Sequence, residues 1–182
     1  MTRLLRECAN AFPNAKIVVT GYYQIVSNRS NPISMTALMV ALGTMLGPGI
    51  IGGVIAGLTT LAVLQKISAQ CRIFDVTSRR NLFNSVRTVN NELPGNNRIT
   101  FVNPLFANRD AVFTPNSSLF GLDFIGNPMD PVRNTRRNSC NRSTSGFAHE
   151  TCLRASVGHP NVRGANRYRD RIIDRLITRN WI

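Results

Sequence analysis

A short β-branched run, KIVVTG at residues 16–21, decides the fold. A continuous apolar run of this length is typical of a strand that is buried in a parallel sheet. A second run of the same kind, RITFV at residues 98–102, ends before Asn103 and Pro104. We therefore expect two buried parallel strands, with functional groups in the loops that follow their carboxyl ends.

Three segments around these runs have the apolar spacing of amphipathic helices, at about residues 3–12, 77–92 and 165–178. The first predicted helix places four apolar side chains on one face: Leu4, Leu5, Cys8 and Phe12. The second is predicted to begin with Thr77 or Ser78 as its N-cap. Residues 103–162 are rich in Asn, Pro, Ser and Gly, which predicts a long loop. This order of elements indicates an α/β fold.

No charged residue occurs between Arg29 and Lys66. The centre of this gap, residues 38–64, reads LMVALGTMLGPGIIGGVIAGLTTLAVL and exceeds the ~20 residues that span a bilayer as a helix. Its glycines recur every four residues, as in membrane helices that pack closely, but a Gly-Pro-Gly at residues 47–49 breaks a helix near the middle. Two interpretations stay open: a segment that touches or spans a membrane, and a wholly buried core element.

The chain is strongly basic, because 22 Lys and Arg against 9 Asp and Glu give a net charge of +13. Arginines are densest within residues 131–149 and 163–179, and such stretches attract phosphates. Binding to single-stranded nucleic acid also needs interleaved aromatic residues, and these stretches offer only Phe147 and Tyr168. We expect no nucleic-acid partner. The cysteine and histidine spacing is not that of a zinc site, and we expect neither a metal nor a cofactor.

One loop carries a residue suited to acid–base chemistry. His159 lies between Gly158 and Pro160, shortly before the last predicted helix, so its backbone has little freedom. A histidine held in this way is a candidate general base. A histidine in a loop is also commonly an ordinary surface residue.

Three segments resemble one enzyme family. AFPNAKIVVTGYYQIVS, at residues 11–27, resembles a strand and the following loop of SGNH-type (GDSL-type) ester hydrolases. RITFVNPLFANRDAVFTPNSSLFG, at residues 98–121, is similar to their next strand and loop. ASVGHPNVRGANRYRDRI, at residues 155–172, is similar to their final block. The resemblance covers roughly residues 1–29 and 71–180.

The resemblance implies a flavodoxin-like, three-layer α/β/α fold with serine esterase chemistry on an ester or lipid substrate. By motif match, His159 is the general base that activates a serine hydroxyl. The family has an Asp three residues before this histidine, and Ser156 stands at that position here. Because a hydroxyl does not stabilise an imidazolium as a carboxylate does, we expect a backbone carbonyl within residues 154–157 to orient the ring.

The family's nucleophile block is absent from this chain. It contains no Gly-Asp-Ser tripeptide, no Gly-x-Asn-Asp motif and no Gly-x-Ser-x-Gly elbow. Met1 aligns with the helix that precedes the family's fourth strand, so the first three strands are expected to be missing. The chain is therefore interpreted as the carboxyl-terminal part of such a hydrolase, inactive alone, with an N-terminal half or another chain supplying the rest.

The resemblance extends to the cysteines. Cys140 and Cys152 resemble the loop disulfide of exported relatives. Cys8 and Cys71 are candidates for a second bridge, and Cys8 is equally well interpreted as a buried thiol on an apolar helix face. Four cysteines allow three pairings, between which spacing does not choose. Charges near Met1 leave no secretion signal visible, and the localisation is left open between a secreted and a membrane-associated parent protein.

The predicted organisation has three parts. Residues 1–31 form a helix and a strand of the α/β domain, residues 32–70 an apolar Gly-rich insertion, and residues 71–182 the remainder with the His159 loop. In the hydrolase hypothesis, the insertion lies near the substrate entrance and favours an apolar acyl group. The alternative hypothesis is a non-enzymatic, membrane-associated protein that inserts residues 38–64 and binds anionic head groups through its arginines.

Overall fold

The computed structural model describes residues 1–38, 60–93, 98–122, 131 and 133–182. Most of these residues are helical, and two short strands complete a mixed α/β chain. In chain order the elements are α1 (Thr2–Ala11), β1 (Ile17–Thr20), α2 (Thr60–Glu92), β2 (Ile99–Val102), a 3-10 helix (Asn108–Asp110), α3 (Arg133–Ser143), α4 (Gly146–Arg154) and α5 (Val162–Thr178). Residues 32–38 are also helical.

The two strands form a parallel pair, in which Ile17 lies opposite Ile99 and Thr20 opposite Val102. This confirms both predicted strands and their relative direction, and with them an α/β fold. Parallel strands require a crossover connection, and α2 lies within the connection between them. The outer edge of β2 is closed at Ile99, whose N–H donates to Asn90 Oδ1 (3.1 Å) and whose carbonyl accepts from Asn90 Nδ2 (2.7 Å).

The chain consists of two compact units. Unit 1 contains Met1–Tyr23, Arg72–Leu105 and Asn166–Ile182, and unit 2 contains Gln24–Cys71 and Phe106–Ala165. The core of unit 1 joins α1, α2 and β2 through five buried side chains: Leu5, Ala9, Val86, Val89 and Ile99. Their spacing, four residues apart on α1 and three on α2, is that of single helical faces.

The inward face of α1 differs from the predicted one. Leu5 and Ala9 are buried, whereas Leu4 is 55% exposed and Phe12 is 63% exposed. Since Ala9 is wholly buried within the core cluster, the contact stripe of α1 is centred on Leu5 and Ala9. The prediction chose the largest apolar side chains as the buried ones, and it therefore assigned the wrong face of α1 to the core.

The predicted start of α2 is wrong, because the helix begins at Thr60. Thr77 and Ser78 lie in its interior, where Ser78 Oγ donates to the carbonyl of Asp75 (3.1 Å). A serine that bonds the preceding turn in this way is compatible with a continuous helix, so it does not mark a start.

The predicted loop at residues 103–162 is also partly wrong, because it contains α3 and α4. The sequence of α3, RNTRRNSCNRS, is polar on all sides, and only Cys140 is buried among its described side chains. Such a helix has no apolar period by which a sequence pattern could reveal it. The start of α5, at Val162, lies three residues before the predicted one.

The disulfide between Cys140 and Cys152 is confirmed, with 5.7 Å between the two Cα atoms. It joins α3 to α4, which accounts for the burial of Cys140. Cys8 and Cys71 are free, half-buried thiols, so the second bridge does not form and Cys8 is not fully buried.

Among the described residues, no helix combines the length and the apolar character needed to cross a membrane. Most of the uncharged segment at residues 38–64, on which the membrane prediction depends, lies outside the described residues.

The buried face of α1 is tested by a matched pair of substitutions. Leu5→Ala removes core contacts and is expected to lower the free energy of unfolding by about 2–4 kcal/mol. Leu4→Ala, on the exposed side of the same turn, is expected to change it by less than about 0.5 kcal/mol. Urea denaturation measures both values. Equal losses would contradict the assigned face.

Reduction tests the contribution of the disulfide. The bridge spans a sequence separation of 12, and closing a loop of that size stabilises a fold by about 3 kcal/mol. Dithiothreitol is expected to lower the stability by about that amount, as measured by urea denaturation. The double variant Cys8→Ser/Cys71→Ser serves as the control and should show the same loss on reduction. No loss in either protein would contradict a stabilising role.

Candidate functional site: the His159 turn

His159 is exposed on a turn of unit 2 that follows α4. Its N–H donates to the carbonyl of Ser156 (2.9 Å). The residue before it, Gly158, has a φ of +81°, in the left-handed region that favours glycine. A Cβ at Gly158 would also lie 3.2 Å from Ile25 Cγ2, a tight contact, so conformation and space both favour glycine.

A segment at residues 118–120 holds the backbone on both sides of the histidine. Phe120 accepts from the Gly158 N–H (2.8 Å) and donates its own N–H to the His159 carbonyl (2.8 Å). The Asn161 N–H donates to the Ser118 carbonyl (3.0 Å). The turn therefore pairs with residues 118–120 as a short antiparallel ladder, and the main chain at His159 is fixed.

Asn161, which is 3% exposed, connects this ladder to the start of α5. Its Oδ1 accepts from the Gly164 N–H (3.1 Å), which is the geometry of a helix N-cap. Its Nδ2 donates to the carbonyls of Ser117 (2.9 Å) and Leu119 (3.4 Å). A Cβ at Gly164 would lie 2.2 Å from the Ser118 carbonyl oxygen, so α5 begins in direct contact with the ladder.

The imidazole of His159 makes no hydrogen bond to any residue that the structure describes. Ser156 contributes its backbone carbonyl, and that carbonyl accepts from the main-chain N–H of His159 rather than from the ring. The orienting carbonyl predicted within residues 154–157 therefore does not contact the imidazole in the described part of the chain. The structure fixes the backbone of the candidate base and leaves its ring open to a group from outside.

Ser118 and Asp110 form a hydroxyl–carboxylate pair that sequence reasoning missed. Ser118 Oγ donates to Asp110 Oδ1 (3.0 Å), and Asp110 Oδ2 accepts from the Ala107 N–H (2.7 Å). Ser118 is 0% and Asp110 2% exposed. A buried serine whose hydroxyl is donated to a carboxylate cannot attack a substrate, so this pair supports the ladder under His159. No periodic pattern marks it, because both residues lie in irregular backbone.

Functional groups were expected in the loop after β1. In unit 2, the serines of this loop instead form structural hydrogen bonds to the backbone of another segment. Ser27 Oγ donates to the Asn108 carbonyl (2.7 Å), and Ser30 Oγ donates to the Val112 carbonyl (2.7 Å). The Val112 N–H donates to the Ile25 carbonyl (2.9 Å). These bonds tie residues 25–30 to residues 108–112, and both serines are buried.

Tyr168, the tyrosine of the family-like final block, lies in unit 1. Its hydroxyl donates to the Gly21 carbonyl (2.7 Å), and its ring meets Tyr23 edge-on, with centroids 6.2 Å apart. Burial raises the pKa of Tyr23 to about 12. Burial also raises the pKa of Tyr168, and the carboxylate of Asp75 adds to that rise. Both tyrosines are therefore neutral at ordinary pH, and the hydroxyl of Tyr168 serves as a hydrogen-bond donor.

No family model, curated protein or solved structure matches this chain. Within the described residues, no three His, Cys, Asp or Glu side chains lie close enough together to hold a metal ion. The candidate site is thus defined by its own geometry: an exposed histidine on a fixed turn, directly before a capped helix.

The role of Asn161 is tested by Asn161→Ala. The change removes the cap and the amide donor to the Ser117 carbonyl, while the Leu119 carbonyl keeps its bond from Ser117 Oγ (2.8 Å). We expect a loss of about 2–4 kcal/mol in the free energy of unfolding. Asn166→Ala, at an exposed position later in α5, is the control and should be neutral or slightly stabilising. Thermal or urea denaturation measures both. A loss at Asn161 no larger than at Asn166 would contradict the hub assigned to Asn161.

Proposed function

We propose that this chain is the carboxyl-terminal part of an SGNH-type serine ester or lipid hydrolase and supplies its catalytic histidine, His159. The observation that supports the proposal is the His159 turn itself. Its backbone is fixed on both sides by residues 118–120, and its side chain is exposed. A general base needs this combination, since it must hold a constant position and still reach the reacting groups.

The proposed fold is the flavodoxin-like, three-layer α/β/α sandwich. The parallel pair of β1 and β2 supports it, because parallel sheets are usually larger than two strands and covered on both faces. Asn90 occupies the outer edge of β2 at Ile99, so further strands would pair with the other edge, that of β1. In the proposed enzyme, an N-terminal half or another chain supplies those strands.

In the proposed reaction, His159 removes the proton from a serine hydroxyl as the serine oxygen attacks the ester carbonyl. The resulting imidazolium returns that proton to the leaving alcohol, and water then hydrolyses the acyl-enzyme by the same route. The serine is not supplied by Ser118, which is buried and bonded to Asp110. Because the chain also contains no Gly-Asp-Ser motif, the proposal has it form no acyl-enzyme on its own.

Ser156 has a positioning role in this proposal. It presents its backbone carbonyl to the main-chain N–H of His159 (2.9 Å), and that bond does not depend on its side chain. In this proposal the group that orients the imidazole comes from the rest of the enzyme, since the ring makes no hydrogen bond to a described residue.

The alternative proposal is a non-enzymatic, membrane-associated protein. It rests on the uncharged residues 38–64, most of which lie outside the described residues, and no described contact favours it over the hydrolase. Flotation with anionic vesicles tests it, and a chain that does not associate at low salt contradicts it.

The hydrolase proposal predicts an in-frame Gly-Asp-Ser motif in the gene upstream of Met1. A protein extended to include it is expected to react with a fluorophosphonate probe on that serine, whereas the 182-residue chain is not labelled. His159→Ala in the extended protein should slow labelling and ester hydrolysis roughly a thousandfold or more, because the serine loses its base.

Two variants serve as controls in the same protein. His149→Ala removes the other histidine, and Ser156→Ala removes only a hydroxyl, so both should change turnover little. The absence of the upstream motif would contradict the proposal, as would hydrolysis that survives His159→Ala. A thousandfold loss on Ser156→Ala would contradict the role assigned to its backbone.

A further inference from the structure

Unit 1 contains a basic groove that the proposed hydrolase does not use. The groove encloses about 200 Å³ of free space and is lined by parts of α2, β2 and α5. Three arginines line it, Arg87, Arg175 and Arg179, and none of its described lining residues is acidic. We refer to it as the arginine groove.

None of these three arginines forms an ion pair with a described residue. Neighbouring arginines on the same helices are paired: Arg79 lies 2.7 Å from Asp75, and Arg171 lies 3.7 Å from Asp174. Three positive charges around one groove repel one another unless an anion lies between them. Arg175 and Arg179 are half-buried, so their charges are screened less than those of exposed arginines.

The walls of the groove add an apolar surface. Phe83 lines it and is 54% exposed, and its ring meets Phe101 edge-on with centroids 6.4 Å apart. A large aromatic side chain that is exposed beside unpaired arginines provides a face against which an apolar group of a ligand can pack.

Two polar residues of the groove differ in their availability. Both amide atoms of Asn90 are engaged by the backbone of Ile99, so Asn90 braces the strand. Thr100 is 1% exposed, and its hydroxyl makes no hydrogen bond to a described residue. Because Thr100 also lines the groove, its hydroxyl is available to a ligand oxygen.

We propose that the arginine groove binds a small organic phosphate, with the phosphate among the three arginines and its apolar part against Phe83. The planar guanidinium group matches phosphate oxygens in pairs, which makes arginine the preferred residue for this anion. The free space is smaller than the roughly 300–1,000 Å³ of sites for drug-sized ligands, which favours a phosphate that carries a single ring or short chain.

Calorimetric titration of the 182-residue chain tests the proposal with three probes. Phenyl phosphate should bind, inorganic phosphate should bind more weakly because it lacks the ring, and phenol should not bind because it lacks the charge. Arg175→Gln and Arg179→Gln should each weaken phenyl phosphate binding about tenfold, the effect of one charged hydrogen bond.

The matched control is the double variant Arg72→Gln/Arg80→Gln, compared with Arg175→Gln/Arg179→Gln. Arg72 and Arg80 are exposed on α2, outside the groove, and their loss lowers the net charge by the same two units. The control should bind phenyl phosphate like the unmodified chain. Equal weakening by both pairs would show general attraction to a basic surface and would overturn the proposal.

A measurement on the unmodified chain keeps the test independent of the folding of the variants. Side-chain NMR signals of Arg87, Arg175 and Arg179 should shift on saturation with phenyl phosphate, and those of Arg72 and Arg80 should not. Unchanged signals of the three groove arginines would overturn the proposal.

A competition arm distinguishes a soluble phosphate from a lipid head group. The chain is mixed with vesicles that contain phosphatidic acid, and phenyl phosphate is then added. If phenyl phosphate displaces bound vesicles, the groove also accepts the phosphate of a lipid. Vesicle binding that phenyl phosphate does not displace, together with no calorimetric binding of phenyl phosphate, would overturn the proposal. All arms use a chain that needs no esterase activity, so they are independent of the proposed hydrolase.

Discussion

The parallel pairing of Ile17–Thr20 with Ile99–Val102 is the constraint on which unit 1 depends. Parallel strands cannot be joined by a tight turn, so the chain between them must cross over, and α2 is part of that crossover. The two strands also provide the surface on which Leu5 and Val89 are buried. Asn90 then uses both atoms of its amide to close the outer edge at Ile99, which protects it from further pairing.

Unit 2 combines buried apolar side chains, among them Val112 and Leu119, with a network of buried polar contacts. The buried amide of Asn161 caps α5 and at the same time holds the segment that pairs with the His159 turn. Beneath it, Asp110 collects the hydroxyl of Ser118 and the N–H of Ala107. Because buried polar groups are costly unless they are bonded, this network permits few alternative arrangements and keeps the turn in one place. An exposed side chain on such a support can be both accessible and well positioned.

The arginines of the chain differ in whether a carboxylate lies close enough to pair with them. Some arginines are neutralised locally, as Arg79 is by Asp75, where burial raises the carboxyl pKa and the guanidinium opposes that rise. Others, as in the arginine groove, gather on one surface without a described carboxylate. A net charge of +13 by itself does not distinguish these cases, because the attraction between a given pair of charges depends on their separation and burial.

The sequence by itself determined the two strands, α1 and α5, because β-branched runs and apolar periods report directly on burial. The resemblance in the sequence also indicated the Cys140–Cys152 bridge. The polar helix α3 has no apolar period, and the threonines at residues 59 and 60 lie inside a long uncharged run that was assigned to an insertion, so α3 and the N-terminal part of α2 were missed. Only the tertiary structure decided that Ala9 rather than Leu4 faces the core, that Asn161 caps α5, and that Arg87 and Arg175 line the same groove. These features depend on contacts between residues far apart in the chain, and local patterns carry no information about such contacts.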